Sequence, residues 1–82
     1  MKNYRQITDD ISANLRTLRR DIPATMQGFS QLAQAATKAE ALDKKTKELI
    51  ALAIGWSTRC DGCIGFQTEA LVKLGATRAE VE

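Results

Sequence analysis

The stretch Asp43-Lys44-Lys45-Thr46-Lys47-Glu48-Leu49-Ile50-Ala51-Leu52-Ala53-Ile54-Gly55-Trp56-Ser57-Thr58-Arg59-Cys60-Asp61-Gly62-Cys63 decides how the rest of the chain is read. Asp43 is an N-cap residue type just ahead of an apolar run, which predicts a helix from about Lys44 to Ser57. Leu49, Ile50, Leu52, Ala53, Ile54 and Trp56 make that helix apolar on most sides. Such a helix is expected at the centre of a domain, packed by neighbours all round. Glu48 is polar and stands just before the apolar run. Thr58 to Gly62 reads as a short connection, with Asp61 capping a fourth helix that runs to about Leu74. Gly75 ends it, because glycine tolerates the left-handed geometry found after a helix.

Upstream the period is helical as well. Ile7, Ile11, Leu15 and Leu18 recur at spacings of four, four and three, which makes one apolar stripe. Ile22-Pro23 breaks this first helix, since proline disfavours helical geometry in the residue before it. Pro23 can then open a second helix, where its missing N–H costs little. Met26, Phe29, Leu32, Ala33 and Ala36 form the second stripe, which fades within Ala35 to Ala41. Downstream, Thr77-Arg78-Ala79-Glu80 is a capping box that announces a fifth helix. The chain stops at Glu82, inside the first turn of that helix. This leads us to expect a fold truncated at its C-terminus or completed by a partner. The expected fold class is all-α: a small antiparallel helical domain over residues 1–82, with residues 43–82 as its cysteine-bearing core.

A chain of 82 residues suffices for one domain with a modest core. Domains of this size often lean on a metal, disulfides or partner subunits. Apolar residues make up 44% and the net charge is only +2, which excludes a disordered chain. The same charge is too small to point to nucleic acid, and Arg16, Arg19 and Arg20 read as a solvated helix face. No segment reaches the roughly 18 consecutive apolar residues of a membrane span. The N-terminal residues lack the apolar core of a signal peptide. The expected location is therefore the cytoplasm, with no nucleic acid or membrane as partner. Isolated structural disulfides are rare in that compartment. Two cysteines three apart then read as redox or metal chemistry.

A thiol reacts as its thiolate, and a free cysteine with a pKa of about 8.5 is mostly protonated at neutral pH. Cys63 falls in the first turn of the predicted fourth helix, where unpaired N–H groups favour an anion. Arg59 adds a positive charge, whereas Asp61 opposes thiolate formation unless its charge turns toward backbone N–H groups. The Cys60–Cys63 spacing lets one sulfur resolve an oxidised partner: a sulfenic acid on one condenses with the other to a disulfide. Two other readings stand beside this one. Buried cysteines behave as small hydrophobes. Structural zinc wants four ligands, and this chain has no histidine and no further cysteine. Glu48 reads either as a solvated residue paired with Lys44 or Lys45, or as an acid–base group, since burial makes a carboxylate a better proton acceptor. Trp56 reads as core filling or as a roof over the thiols, and core packing is expected because large aromatics dominate buried contacts.

The segments Asp43 to Ile54, Arg59 to Ile64 and Ala70 to Val81 resemble the alkylhydroperoxidase D-like branch of the carboxymuconolactone decarboxylase family. The resemblance covers about residues 43–82. The family pattern is a glutamate, eleven intervening residues, Cys-x-x-Cys, three residues and a histidine. Glu48, Cys60 and Cys63 stand at those spacings, and Gln67 occupies the histidine position. The resemblance implies an all-helical fold, assembly into a trimer or hexamer, and peroxidase or disulfide-reductase chemistry with no cofactor. Its partners would be a peroxide and an external dithiol reductant. It further implies that Cys63 attacks the peroxide, Cys60 resolves, and Glu48 heads a proton relay. Glutamine hydrogen-bonds but does not exchange protons near neutral pH, so Gln67 breaks the relay or reroutes it through water. General acid–base help is worth about a hundredfold to ten-thousandfold. The rival reading is a non-catalytic helical oligomerisation module that keeps the family scaffold. Decarboxylase chemistry of the wider family is disfavoured by the absence of any histidine.

Overall fold

The computed structural model describes all 82 residues, Met1–Glu82. Five helices follow one another: α1 (Tyr4–Asp21), α2 (Pro23–Thr37), α3 (Lys44–Ser57), α4 (Asp61–Lys73) and α5 (Arg78–Val81). There is no strand. Most boundaries have a local cause. The Asn3 side chain accepts from the Gln6 N–H at 3.0 Å and opens α1. Pro23 stands at the first position of α2 and separates it from α1. Asp43 accepts from the Thr46 N–H at 2.7 Å and opens α3. Gly75, at φ +76°, lies in the left-handed region just after α4. Its N–H bonds to the Val72 carbonyl and the next N–H, of Ala76, returns to Leu71, the paired bonds of a Schellman cap. Thr77 and Glu80 form the expected capping box at α5. The end of α2 has no glycine. There Lys47 of α3 donates its ammonium to the carbonyls of Ala36 and Lys38, at 3.1 and 2.7 Å. A cation at that end also suits the helix dipole.

The α4 helix holds the molecule together, packing against both α1 and α3, while α2 touches α1 and α3. Close approach is made possible by glycine. A β-carbon added at Gly65 would collide with the Thr8 side chain, and one at Gly62 would stand 2.9 Å from Ile11 Cδ1. Thus α1 crosses α4 at nearly backbone contact. Lys44, at the start of α3, shares a cleft with Ala70, Lys73 and Leu74, at the end of α4. With only Thr58–Cys60 between them, α3 and α4 are therefore antiparallel neighbours.

The core is small: Met26, Leu52 and Leu71 are its buried apolar side chains. Three expectations are corrected by this packing. The α3 helix is not surrounded, because Ile50 and Ile54 are exposed on the side away from α4. Trp56 is 55% exposed rather than packed in the core. Its position on the helix turns it away from Gly55, which carries the α4 contact. The α2 stripe buries Met26 alone, leaving Phe29 and Leu32 open to solvent. In each case the helix is where periodicity predicts it, but this chain supplies no second layer to cover its outer apolar face. No helix is long and apolar enough to cross a membrane.

Candidate active site

The cysteines sit where α3 stops and α4 begins. Arg59 adopts φ 56°, a left-handed conformation that costs a residue with a β-carbon about 1–2 kcal/mol. It completes a Schellman cap on α3: the Arg59 N–H bonds to the Trp56 carbonyl and the Cys60 N–H to the Gly55 carbonyl, at 3.2 and 2.8 Å. The chain therefore reverses within three residues. Cys60 closes α3 with its N–H and caps α4 with its side chain, whose Sγ accepts from the Cys63 N–H at 3.2 Å. This replaces the expected cap. Asp61 is not the N-cap but the first residue of α4, so α4 begins one residue earlier than a cap at Asp61 would give. The Asp61 carboxylate is instead held by Lys2, which donates to both of its oxygens, at 2.8 and 2.9 Å.

Cys60 and Cys63 form a disulfide, with their Cα atoms 5.2 Å apart. Both are half-buried. A β-carbon on Gly55 would stand 2.9 Å from the Cys63 Cβ, so α3 meets the cysteine pair through a bare patch of backbone. Glu48, Leu52 and Gly55 are the buried residues of α3. Their spacing of four and three puts them on one face, the face toward α4. Glu48 is only 6% exposed, and its Oε2 is buried with no hydrogen-bond partner. It is therefore not the solvated partner of a neighbouring lysine; Lys45 pairs instead with Glu80, at 2.6 Å. Leaving a buried acceptor unsatisfied costs about 1–3 kcal/mol, more for a charged group. Gln67 is half-buried, one turn beyond Cys63 on the same face of α4. In the antiparallel register Gln67 falls level with Ala51, between Gly55 and Glu48. Glu48 lies about 10 Å along the axis from Gly55, seven residues at 1.5 Å each.

No group of three or more His, Cys, Asp or Glu side chains is gathered as a metal site. The cleft of about 450 Å³ beside Tyr4, Arg5 and Val72 includes neither cysteine. Two residues at the site carried too little signal to be singled out from sequence. Gly55 interrupts an apolar helix, where a lone glycine costs about 1 kcal/mol against alanine but does not by itself say what packs there. Lys2 has no signature, because it meets Asp61 only through the fold.

The sequence profile of the carboxymuconolactone decarboxylase family matches residues 23–82. The chain belongs to that family. Its structure is similar to the crystal structure of an apo carboxymuconolactone decarboxylase family protein of Legionella pneumophila, with a TM-score of 0.91 and 56% identity. That match covers 95% of this chain and 70% of the other. An uncharacterized protein of Haemophilus influenzae is 38% identical over 67 residues, covering 82% of this chain. This chain spans 59% of that relative's length. An uncharacterized protein of Cupriavidus necator is 32% identical over 82 residues, covering 92% of this chain and 73% of its own length. Within the carboxymuconolactone decarboxylase family, this member combines a bonded cysteine pair, a buried glutamate on the facing helix, and a glutamine one turn past the second cysteine.

Proposed function

We propose that this family member is a thiol-dependent peroxidase that works through Cys63 and Cys60. The observation that carries the reading is Glu48: a buried carboxyl with an unpartnered oxygen, on the α3 face that meets the cysteine pair at Gly55. An apolar side chain there would be more stable, so a proton-handling role accounts for keeping the acid. In the proposed cycle the Cys63 thiolate attacks one oxygen of the peroxide and the O–O bond breaks. The distal oxygen leaves as an alcohol or water, taking up a proton, and Cys63 becomes a sulfenic acid. The Cys60 thiol then displaces the hydroxyl as water, and the Cys60–Cys63 disulfide forms. An external dithiol reduces that disulfide by exchange and is itself oxidised. Glu48 accepts and returns the thiol proton across the register distance to Cys63, through water held near Gln67. No metal or organic cofactor enters the cycle.

The same reading includes a homo-oligomer, a trimer or hexamer, acting in the cytoplasm. Exposed Phe29, Leu32, Ile54 and Trp56 support assembly, since so much open apolar surface on a small domain marks a contact site. Gln67 favours a second reading, a scaffold that assembles without catalysis, because it removes the proton carrier from the family pattern. The two are separated by treating the reduced Cys60→Ser variant with peroxide and trapping sulfenic acid for mass spectrometry. The peroxidase reading expects a trapped adduct on Cys63 at substoichiometric peroxide. An untouched Cys63 thiol leaves the scaffold reading.

A further inference from the structure

Lys2 belongs to the three residues that precede α1, yet it reaches Asp61, which lies between the two cysteines in sequence. Its ammonium bonds both oxygens of Asp61, the residue that follows Cys60 and lies two before Cys63. The placement of Lys2 is built in. Asn3, the next residue, is locked as the cap of α1, and α1 is seated on α4 where Thr8 meets Gly65. Thr8 also donates to Glu69 of α4 at 2.8 Å. Lys2 is thus delivered to α4 by the crossing of two helices.

The consequence is electrostatic. A carboxylate is welcome in the first turn of a helix, which gives Asp61 a structural reason to be there. The same carboxylate, next to a dithiol, opposes formation of a thiolate. An ammonium on both of its oxygens offsets part of that opposition, by the amount an exposed ion pair supplies. The Asp61 hydrogen bond and charge in turn hold the Lys2 ammonium above its ordinary 10.5, so it stays charged throughout thiol titration. The other groups around the pair are few. Arg59 adjoins Cys60 and adds positive charge. From α3 comes Gly55, with Glu48 about 10 Å further along the axis. From α1 come the uncharged Ile11 and Thr8.

We propose that Lys2 is a positioning residue of the redox pair, neutralising Asp61 so that the Cys63 thiol stays acidic in the reduced protein. The proposal rests on the reading of Cys63 as the reacting thiol. Its test is peptide-resolved alkylation of Cys63 against pH, in the reduced full chain, with helical circular dichroism as a check on folding. Lys2→Gln is expected to raise the Cys63 midpoint and lower its thiolate fraction at neutral pH about two- to fivefold, the size of an exposed ion pair. Lys2→Arg is expected to keep the wild-type curve. Asp61→Asn is expected to titrate at or below wild type, and adding Lys2→Gln to it is expected to change nothing. A Lys2→Gln curve that overlays a wild-type midpoint already below the ordinary thiol value overturns the role of Lys2 alone. So does an equal shift in the Asp61→Asn background, because Lys2 would then act without Asp61. A wild-type midpoint at the ordinary value of about 8.5 overturns the underlying redox reading, and the Lys2 proposal with it.

Discussion

Gly55 of α3 and Cys63 of α4 meet so closely that a β-carbon on the glycine would stand 2.9 Å from the cysteine Cβ. In an unconstrained helix, replacing glycine by alanine is favourable by about 0.8–1 kcal/mol. At Gly55 the new methyl meets the base of a side chain rooted in α4, which cannot swing away. Overpacking of this kind costs about 1–3 kcal/mol and wins over propensity. Gly55→Ala is therefore expected to lower stability, and to slow re-formation of the Cys60–Cys63 disulfide as the helices part. Urea denaturation and the reoxidation rate check the two effects separately.

Leu71 is 1% exposed in a core with few other apolar members. Leu71→Ala is expected to destabilise by about 2–5 kcal/mol, a large share of the stability of a domain this small. The denaturation midpoint of the variant, compared with wild type at the same protein concentration, measures it.

Glu48→Gln keeps the shape of the side chain and removes its capacity to exchange a proton. Stability should hold or rise, while peroxide reduction falls by about a hundredfold or more. The converse substitution, Gln67→His, places a side chain that exchanges protons near neutral pH at that position and should raise the rate by a comparable factor. If Glu48 and position 67 share one relay, Gln67→His gains nothing when combined with Glu48→Gln. An undiminished gain in the double variant contradicts the relay.

The docking of α5 should depend on pH at both ends of the scale. Lys45 and Glu80 form an ion pair at 2.6 Å. The hydrogen bond and charge of Lys45 hold the Glu80 carboxyl below its ordinary 4.5, and those of Glu80 hold the Lys45 ammonium above its ordinary 10.5. The Glu80 contribution is present above its unfolded value and is lost as pH falls through the depressed one. The Lys45 contribution is present below its unfolded value and is lost as pH rises through the raised one. Amide chemical shifts of Glu80 and Val81 should therefore be flat across the neutral range and move at both extremes. In Lys45→Met the basic limb should vanish.

Much of the fold was legible because its boundaries are local. Asp43, Pro23, Gly75 and the Thr77–Glu80 box act within a few residues of themselves, and each helix begins or ends where they predict. The failures are tertiary. Periodicity places Phe29, Leu32 and Trp56 on apolar faces, but whether a face is covered depends on what lies opposite. Asp61 has the chemistry of a cap, yet Cys60 fills that role, while Lys2, far away in sequence, binds the Asp61 carboxylate. At the site, the bonded Cys60–Cys63 pair was legible from spacing. Gly55 and Lys2 were not, since a glycine's contribution is a missing side chain and Lys2 arrives through the crossing of α1 and α4.

The most direct test of the central claim is stopped-flow consumption of peroxide by the pre-reduced chain without added reductant. The account predicts a single turnover in wild type, with one peroxide lost per dithiol and the Cys60–Cys63 disulfide as product. It predicts no reaction above background in Cys63→Ser. Equal rates in the two proteins, or peroxide loss without disulfide formation, would contradict it.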